Sequence, residues 1–322
     1  MDAFGIVTRA VFIGSKSLGL AIFECLYAET PGLQWTVVHP DDRSDARSNL
    51  GDFSAFASKH GIEFFVPSTP IEAREMLAAI KPDIGLVCGW YWLLDAATLD
   101  SIPRGLWGMH NSLLPKYRGN APLVWSIING DKTVGSTVFR LAEGMDSGEV
   151  LCQVELQLGE SDTVGEVLEA IQRALVQELP ARWTALLAGR AELSTQDESM
   201  ATYCGSRQEA DGLVSWGKTA SEIHDFIRAQ APPYPAAFSF LRSQKVRLLR
   251  SSVFRGTYFG TPGQVLRRLD ESVLVACGGN TAIELLRVST DSCGESVTVT
   301  QILGSMKDRF SDSPIMELWP SR

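Results

Sequence analysis

Short apolar runs rich in β-branched residues alternate with amphipathic stretches from residue 10 to about residue 156. This alternation is typical of an α/β fold, because parallel strands are joined by crossover connections that are usually helical. The predicted strands are AVFIG, QWTVVH, IEFFV, IGLVCG, GLWGMH and STVFRL. The predicted helices are SLGLAIFECLYAE, FSAFASKHG, EAREMLAAI, APLVWSIING and a long segment from Thr163 to Leu187. We therefore expect a sheet that is mostly parallel.

The pattern changes after the long helix. Residues 193–212, LSTQDESMATYCGSRQEADG, are polar, include two glycines and show little periodicity, which is typical of a linker. One predicted helix (Thr219–Ala229) and the short predicted strands AAFSFL, KVRLLRS, GQVLRRL, VLVAC and TAIELLRV follow. Short strands at this spacing indicate a small β-barrel or sandwich. We predict a first domain over residues 1–200, a linker over 201–212 and a C-terminal domain over 213–322.

Composition narrows the class of protein. The 322 residues, 45% of them hydrophobic, suffice for two buried cores. The N-terminus MDAFGIVTRAVFIG has no signal-peptide pattern, and no apolar run approaches the ~20 residues of a membrane helix, so we expect a cytoplasmic protein with no membrane partner. The four histidines lie far apart in the sequence, and no metal is expected. Six cysteines without C-x-x-C spacing predict reduced thiols: Cys25, Cys88, Cys152, Cys204, Cys277 and Cys293.

Charge is distributed unevenly along the chain. Residues 1–212 contain 28 acidic and 16 basic side chains, a net charge of −12, whereas residues 213–322 contain 10 acidic and 13 basic, a net charge of +3. Nucleic-acid affinity depends on neutralising phosphates with Lys and Arg. The acidic first part of the chain therefore disfavours nucleic acid as a partner. A small molecule that carries an amine fits this charge better. The imbalance is equally compatible with a role in solubility alone.

A histidine stands at the end of the predicted strand GLWGMH, where the chain turns into SLLPKYRG. Functional groups in open α/β sheets gather at the carboxyl ends of strands. The alternation of a strand places Gly108, His110 and Ser112 on one face. The loop LAEGMDSGEV after the next strand carries Asp146 between glycines, at the same edge. Because a carboxylate fixes the tautomer of a neighbouring imidazole, His110 and Asp146 are candidates for an acid–base pair.

Several common catalytic and nucleotide-binding motifs are absent from the sequence. It contains no G-x-G-x-x-G, no G-x-x-x-x-G-K-[ST] and no G-x-S-x-G. The α/β pattern is therefore not accompanied by a signal for dinucleotide binding, for nucleoside triphosphate binding or for a hydrolase-type serine nucleophile.

The segments HNSLLPKYRGNAP, GSTVF and GMDSGE together resemble the 10-formyltetrahydrofolate-dependent formyltransferases. The later segments ATYCGSRQEADGLVSW, IRAQAPPYPAAFSFL and VACGGNTAIELLRV are similar to the linker and C-terminal domain of members that act on methionyl-tRNA or on amino sugars. The resemblance implies a Rossmann-like catalytic formyltransferase domain over residues 1–200, followed by a small OB-like β-barrel over residues 213–322. It also implies 10-formyltetrahydrofolate as co-substrate, with no metal.

The resemblance further implies roles for individual residues. His110 would hold the tetrahedral oxyanion, Asp146 would keep His110 protonated, and Ser112 is a weaker catalytic candidate. Gly108 stands where the family has an asparagine that also holds the oxyanion, and we expect an ordered water or the acceptor to occupy the space thus left. The candidates for folate binding are Leu86, Cys88, Gly89, Trp90, Tyr91, Leu93 and Asp146. The candidates for acceptor binding are Arg118, Asn120, Trp125, Tyr203 and Arg207.

Four functions are compatible with these residues. The first is formylation of a small-molecule amine acceptor, in particular an amino-sugar nucleotide; the others are formylation of methionyl-tRNA, hydrolysis of 10-formyltetrahydrofolate, and folate binding without catalysis. Members that act on tRNA have a basic, glycine-rich insertion where this chain has Pro40–Asp52, which holds four acidic residues and two arginines. This difference disfavours tRNA. A homodimer is an open possibility for the assembly.

Overall fold

The computed structural model describes residues 7–45, 47–290 and 296–314. The described chain forms two compact units, each made of several segments. The first unit comprises Met1–Pro122, Gly135–Leu156 and Leu168–Cys204, and the second comprises Leu123–Val134, Gln157–Val167 and Gly205–Arg322. The expected division at residues 200 and 213 stays a prediction, and the second unit adds two earlier segments to the C-terminal part.

The elements up to residue 204 are, in chain order, β1 (Arg9–Gly14), α1 (Lys16–Glu29), β2 (Gln34–Val38), α2 (Leu50–His60), β3 (Glu63–Phe65), α3 (Pro70–Ile80), β4 (Ile84–Cys88), α4 (Ala96–Asp100), β5 (Leu106–His110), β6 (Arg118–Gly119), α5 (Pro122–Ile128), β7 (Thr133–Arg140), β8 (Val150–Gln157), α6 (Val164–Leu187) and β9 (Tyr203–Cys204). The later elements are α7 (Ala220–Arg228), β10 (Ala237–Leu241), β11 (Gln244–Phe254), β12 (Val265–Arg268), β13 (Val273–Ala276), β14 (Ala282–Ser289), β15 (Val297–Thr298) and β16 (Phe310–Ser311).

The main sheet has the strand order β3-β2-β1-β4-β5-β7-β8. Strands β3, β2, β1, β4 and β5 pair in parallel, and β7 pairs with β5 antiparallel. The predicted α/β fold with a mostly parallel sheet is thereby confirmed. The parallel strands β1 and β4 are buried along nearly their whole length, which explains their continuous apolar sequences. Their carboxyl ends meet at one edge, where the loops after β4 and β5 lie.

Aromatic side chains fill much of the core between this sheet and its helices. Phe12 of β1 lies 5.1 Å from Phe23 of α1 and 5.6 Å from Phe53 of α2, measured between ring centres. Trp35 of β2 lies 6.3 Å from Trp183 of α6. Burial of each such ring contributes about 2–3 kcal/mol to the free energy of folding. The core therefore stabilises the sheet, including the edge at which β4 and β5 end.

The second sheet is antiparallel, with the order β12-β13-β14-β11-β10-β16 and β15 added beside β14. An isolated bridge between Gln264 and Arg309 joins the region of β12 to that of β16, and this bridge curls the sheet into a small barrel. Helix α7 packs its apolar face, including Ile223 and Ile227, into the same core. A capping box of Thr219 and Glu222 begins this helix. The predicted C-terminal barrel is confirmed.

One local pairing of strands was not predicted. Tyr203 and Cys204, inside the expected linker, form β9 and pair with β6. Within the part of the chain described, no helix is long and apolar enough to cross a membrane. Cys293 lies outside the described residues, and the other five cysteines are free thiols.

Candidate active site

His110 ends β5 and is buried, with 8% of its surface exposed. Its Nε2 lies 2.7 Å from the carbonyl oxygen of Tyr117. Because a carbonyl can only accept a hydrogen bond, Nε2 must carry a proton and donate it to Tyr117. The tautomer is therefore fixed, and Nδ1 is the nitrogen left for proton exchange.

The second nitrogen of His110 faces a carboxylate. The distance from Nδ1 to Oδ2 of Asp146 is 3.7 Å. Asp146 has a φ of +47°, a left-handed conformation that is uncommon for residues other than glycine. Its Oδ2 accepts a hydrogen bond of 2.7 Å from the backbone N–H of Gly119. The imidazole and the carboxylate thus lie within ion-pair distance but beyond a direct hydrogen bond, and their use as an acid–base pair stays a prediction.

Gly108 lies two residues before His110 in β5, on the same face of the strand. A Cβ atom at this position would stand 2.6 Å from Cδ2 of Leu141 and 3.3 Å from Cε1 of Phe139. The expected space for an ordered water or for the acceptor is therefore filled by the Leu141 side chain. This corrects the expectation that glycine leaves an opening here, and it leaves His110 as the nearest candidate donor to an oxyanion.

Ser112 serves the turn that follows β5. Its hydroxyl donates to the carbonyl of Lys116 at 2.7 Å, and its own carbonyl accepts from the Thr137 hydroxyl at 2.7 Å. The side chain is buried and its one proton is already used. Ser112 therefore has no hydroxyl proton available for an oxyanion in this arrangement, contrary to the expectation of a catalytic role.

The candidate folate segment, residues 86–94, runs from β4 into the loop at the sheet edge. Leu86 and Cys88 are buried in the strand, so only their main chain can serve a ligand, and burial raises the pKa of the Cys88 thiol to about 12. Gly89 has a φ of +70°, and its carbonyl accepts from the Ser15 hydroxyl at 2.8 Å. This close approach requires glycine, since a Cβ would stand 2.7 Å from the Ser15 carbonyl oxygen.

The remaining residues of this segment lie toward the surface. Tyr91 is half exposed and Leu93 is 92% exposed. Nε1 of Trp90 is buried and has no hydrogen-bond partner among the described residues. An unpaired buried N–H is costly. Tyr91 and Leu93 are the side chains of this segment that a ligand could reach, and folate binding by the segment stays a prediction.

One lysine joins three loops beside this segment. Nζ of Lys16 lies 2.7 Å from Asp42 and 2.9 Å from Asp45, and 5.0 Å from the centre of the Tyr91 ring. Burial lowers the pKa of Lys16, but hydrogen bonds with Asp42, Tyr91 and Asp45 raise it by more. Hydrogen bonds from Arg47 and Lys16 hold the pKa of Asp45 well below its usual range. Three of the carboxylates in the loop of residues 40–52 are therefore paired with cations of the protein.

The five candidates for acceptor binding are divided between the two units. Arg118 is buried, and its guanidinium donates to Gln196, Glu198 and Tyr203, which uses all five N–H groups. It therefore has no donor free for an acceptor, which corrects the expected direct contact. Asn120 and Tyr203, also in the first unit, are exposed.

The other two candidates contact each other in the second unit. The Arg207 guanidinium lies 4.9 Å from the centre of the Trp125 ring and 5.6 Å from that of Phe226. Trp125 donates through Nε1 to the Gly205 carbonyl at 2.9 Å. Burial lowers the pKa of Arg207, although a guanidinium stays charged. A guanidinium between aromatic rings can bind a phosphate or a carboxylate.

Sequence reasoning missed three contributors to this site. They are the Tyr117 carbonyl, the Gly119 N–H and Gln196, which donates to the Asp146 and Gly148 carbonyls. The first two are main-chain groups, which carry no side-chain signal. Gln196 lies in the polar stretch interpreted as a linker. Among the residues that the structure describes, no group of three or more His, Cys, Asp or Glu side chains could hold a metal ion.

Comparison with known proteins shows which family the chain belongs to. Residues 52–182 match the family "Formyl transferase", and residues 207–305 match "Formyl transferase, C-terminal domain". The methionyl-tRNA formyltransferase of Chloroflexus aggregans is 32% identical over 292 residues, covering 88% of this chain and 93% of the relative. This chain belongs to the formyltransferase family. It is thus an enzyme of one-carbon transfer, and the family uses formyl-tetrahydrofolate as the formyl donor.

One further sequence relative and two solved structures are also similar to this chain. The methionyl-tRNA formyltransferase of Desulfotalea psychrophila is 31% identical over 276 residues, covering 84% of this chain and 85% of the relative. The fold resembles WlaRD, a sugar 3N-formyl transferase solved with dTDP and 5-N-formyl-THF, with a TM-score of 0.67, 16% identity and coverage of 88% and 98%. HypX from Aquifex aeolicus, in complex with tetrahydrofolic acid, gives a TM-score of 0.62 at 15% identity, covering 99% of this formyltransferase and 50% of HypX.

Proposed function

We propose that this formyltransferase moves the formyl group of 10-formyltetrahydrofolate to the amine of a small molecule, of the amino-sugar nucleotide class. The observation that carries the proposal is the pairing of cations in the loop of residues 40–52. Arg43 lies 2.5 Å from Asp41 and Arg47 lies 2.8 Å from Asp45. Lys16 contacts Oδ2 of Asp42 and shares Oδ2 of Asp45 with Arg47. Cations that already pair with neighbouring carboxylates contribute less to binding a nucleic-acid backbone than unpaired ones.

The reaction forms a bond between the acceptor nitrogen and the formyl carbon and breaks the bond between that carbon and N10 of the folate. The acceptor nitrogen loses one proton and N10 gains one, so no external reductant or oxidant is required. His110 contributes an N–H at Nδ1 to the oxygen of the tetrahedral intermediate, once the second proton of the ring is present. Asp146, at 3.7 Å, stabilises that proton and moves it toward the leaving nitrogen.

The residues of the second unit support an acceptor that carries phosphate. Arg207 is positioned between Trp125 and Phe226 and donates through Nη2 to the Asp211 carbonyl and to Gln230. Because the Arg207 side chain is already held in place, it loses little conformational entropy when it binds an anion. The aromatic rings beside it suit a nucleobase or a sugar ring.

A second candidate function is formylation of methionyl-tRNA. The sequence relatives with that name match over most of the chain, including the C-terminal part. Residues 213–322 also carry a net charge of +3, which suits a polyanion better than the first part does. We place this function second because the loop cations are internally paired.

One assay separates these functions. Release of tetrahydrofolate from 10-formyltetrahydrofolate is measured with a dTDP-linked amino sugar, with methionyl-tRNA, and with no acceptor. We expect the amino sugar to raise the rate at least about tenfold above the acceptor-free rate, and methionyl-tRNA to give little stimulation at about 150 mM salt. Any tRNA stimulation at low salt is expected to fall steeply as salt rises.

The control is free methionine, which tests whether any primary amine suffices. Efficient formylation of methionyl-tRNA at 150 mM salt, with no stimulation by amino sugars, would overturn the proposal in favour of the second candidate. A rate that no acceptor changes would instead indicate hydrolysis of the formyl donor, and absence of turnover with preserved folate binding would indicate a binding protein.

A further inference from the structure

We propose that Gln196 is a positioning residue for Asp146, and that it acts through the main chain of the loop after β7. This inference rests on the proposed use of His110 and Asp146 as the proton-transferring pair. Gln196 contacts neither the reacting atoms nor the His110 ring in the described hydrogen bonds. Its effect on the reaction is therefore through the place and orientation of Asp146.

Gln196 is buried, and both ends of its amide are used. Its Nε2 donates to the carbonyl of Asp146 at 2.8 Å and to the carbonyl of Gly148 at 2.8 Å. Its Oε1 accepts from Nη2 of Arg118 at 2.8 Å and from Nε of the same side chain at 3.2 Å. All of the hydrogen-bonding capacity of the amide N–H groups is thus directed at the loop that carries Asp146.

Arg118 determines the orientation of the Gln196 side-chain amide. A guanidinium can only donate, so the oxygen of Gln196 must face Arg118 and the nitrogen must face the loop carbonyls. Arg118 is in turn held by Glu198, with distances of 2.7 Å and 2.6 Å to its two carboxylate oxygens. These bonds raise the pKa of Arg118, and the group stays charged and oriented.

The strand that contains Arg118 also holds the Asp146 side chain. Gly119, the neighbour of Arg118, supplies the backbone N–H that holds Oδ2 of Asp146. The main chain of Asp146 is thus held through Gln196, and its side chain is held through β6. This double support accounts for the left-handed φ of Asp146, because such a conformation persists only when the surroundings fix it.

The test compares Gln196→Glu and Gln196→Met. The glutamate variant keeps an acceptor for Arg118 and loses both bonds to the loop, whereas the methionine variant conserves volume and loses all four bonds. We expect each to lower kcat about thirtyfold, because a small displacement of a catalytic group is enough for such a loss. The KM for 10-formyltetrahydrofolate is expected to stay within about threefold of the wild type.

The decisive measurement repeats both changes in the Asp146→Asn background, by single-turnover kinetics with enzyme in excess. If Gln196 acts through the Asp146 carboxylate, a Gln196 change lowers the rate there by less than about threefold. A merely structural role would give the same factor in both backgrounds, and that result would overturn the inference. Thermal melting of each variant shows how far stability alone accounts for the loss of rate.

The two proposals fail separately. If His110→Ala and Asp146→Asn retain the wild-type rate, the proposed pair is wrong. If those variants are inactive while both Gln196 variants keep the wild-type kcat, the pair stands and the positioning role of Gln196 is wrong.

Discussion

Replacing His110 by alanine is expected to lower kcat for formyl transfer by at least about a hundredfold, which is the usual loss when one group that stabilises a developing oxyanion is removed. The Kd for 10-formyltetrahydrofolate should change by less than about threefold, because the folate segment lies on a different strand. Asp146→Asn should produce a comparable loss. It keeps the shape of the side chain and an oxygen for the Gly119 N–H, and removes the charge that faces Nδ1 at 3.7 Å.

The measurement is steady-state formyl transfer with saturating acceptor, together with folate affinity by fluorescence or calorimetry. His60→Ala is the matched control, since His60 is an exposed histidine at the end of α2. It should keep the wild-type rate. A double variant of His110 and Asp146 is expected to be about as slow as either single one, because the two groups act as a unit. Wild-type rates in either single variant would remove that residue from the mechanism.

The sequence alone predicts the scaffold of this site well. The continuous apolar runs of β1 and β4 and the periodicity of α1 reflect burial on both faces of a parallel sheet, which is a strong local signal. The position of His110 follows from the same signal, because a strand that ends at a proline-containing turn places its last residue at the sheet edge. Asp146 follows from the glycines on either side of it.

Other contacts of the site depend on tertiary structure and have no local signal. The strands β6 and β9 are two residues long and pair across more than 80 positions of sequence, too short for any period to show. The sequence predicts Arg118 as an acceptor-binding residue, whereas in the structure it is buried and its guanidinium donates to three side chains that come later in the chain. Gln196 likewise stands in a polar stretch whose composition is typical of a loop.

The thiol of Cys204 shows how such contacts change chemistry. Its Sγ lies 3.4 Å from the carbonyl oxygens of Tyr117 and Arg118, close to Asp146. Burial, together with the charge of Asp146, raises the pKa of Cys204 to about 11. The thiol therefore stays protonated near neutral pH, and it does not compete as a nucleophile for the formyl group. The cysteine count in the sequence gives no indication of this.

The second large expected effect is that of changing Gly108, because the neighbouring Leu141 side chain limits which side chains fit at that position. Gly108→Asn puts a Cβ 2.6 Å from Cδ2 of the partly buried Leu141 side chain and 3.3 Å from the Phe139 ring. We expect this variant to lose about 1–3 kcal/mol of folding free energy through overpacking, and to gain no activity. Thermal melting and steady-state kinetics measure the two quantities.

Combining Gly108→Asn with Leu141→Ala should reverse both results. Truncating Leu141 removes the side chain that collides with the new one, so the double variant is expected to be more stable than the sum of the single changes predicts. The amide would then lie on the face of β5 that carries His110, where a second N–H donor can reach the same oxyanion. A well-placed donor of this kind is worth up to about a hundredfold in rate, and a newly introduced one without its own supporting contacts should give roughly tenfold in kcat. Leu141→Ala alone is the control, and it should lower stability without raising the rate. If Gly108→Asn by itself changes neither the melting temperature nor kcat, then Leu141 does not fill this space in solution. The geometry would then leave room for a second oxyanion donor beside His110.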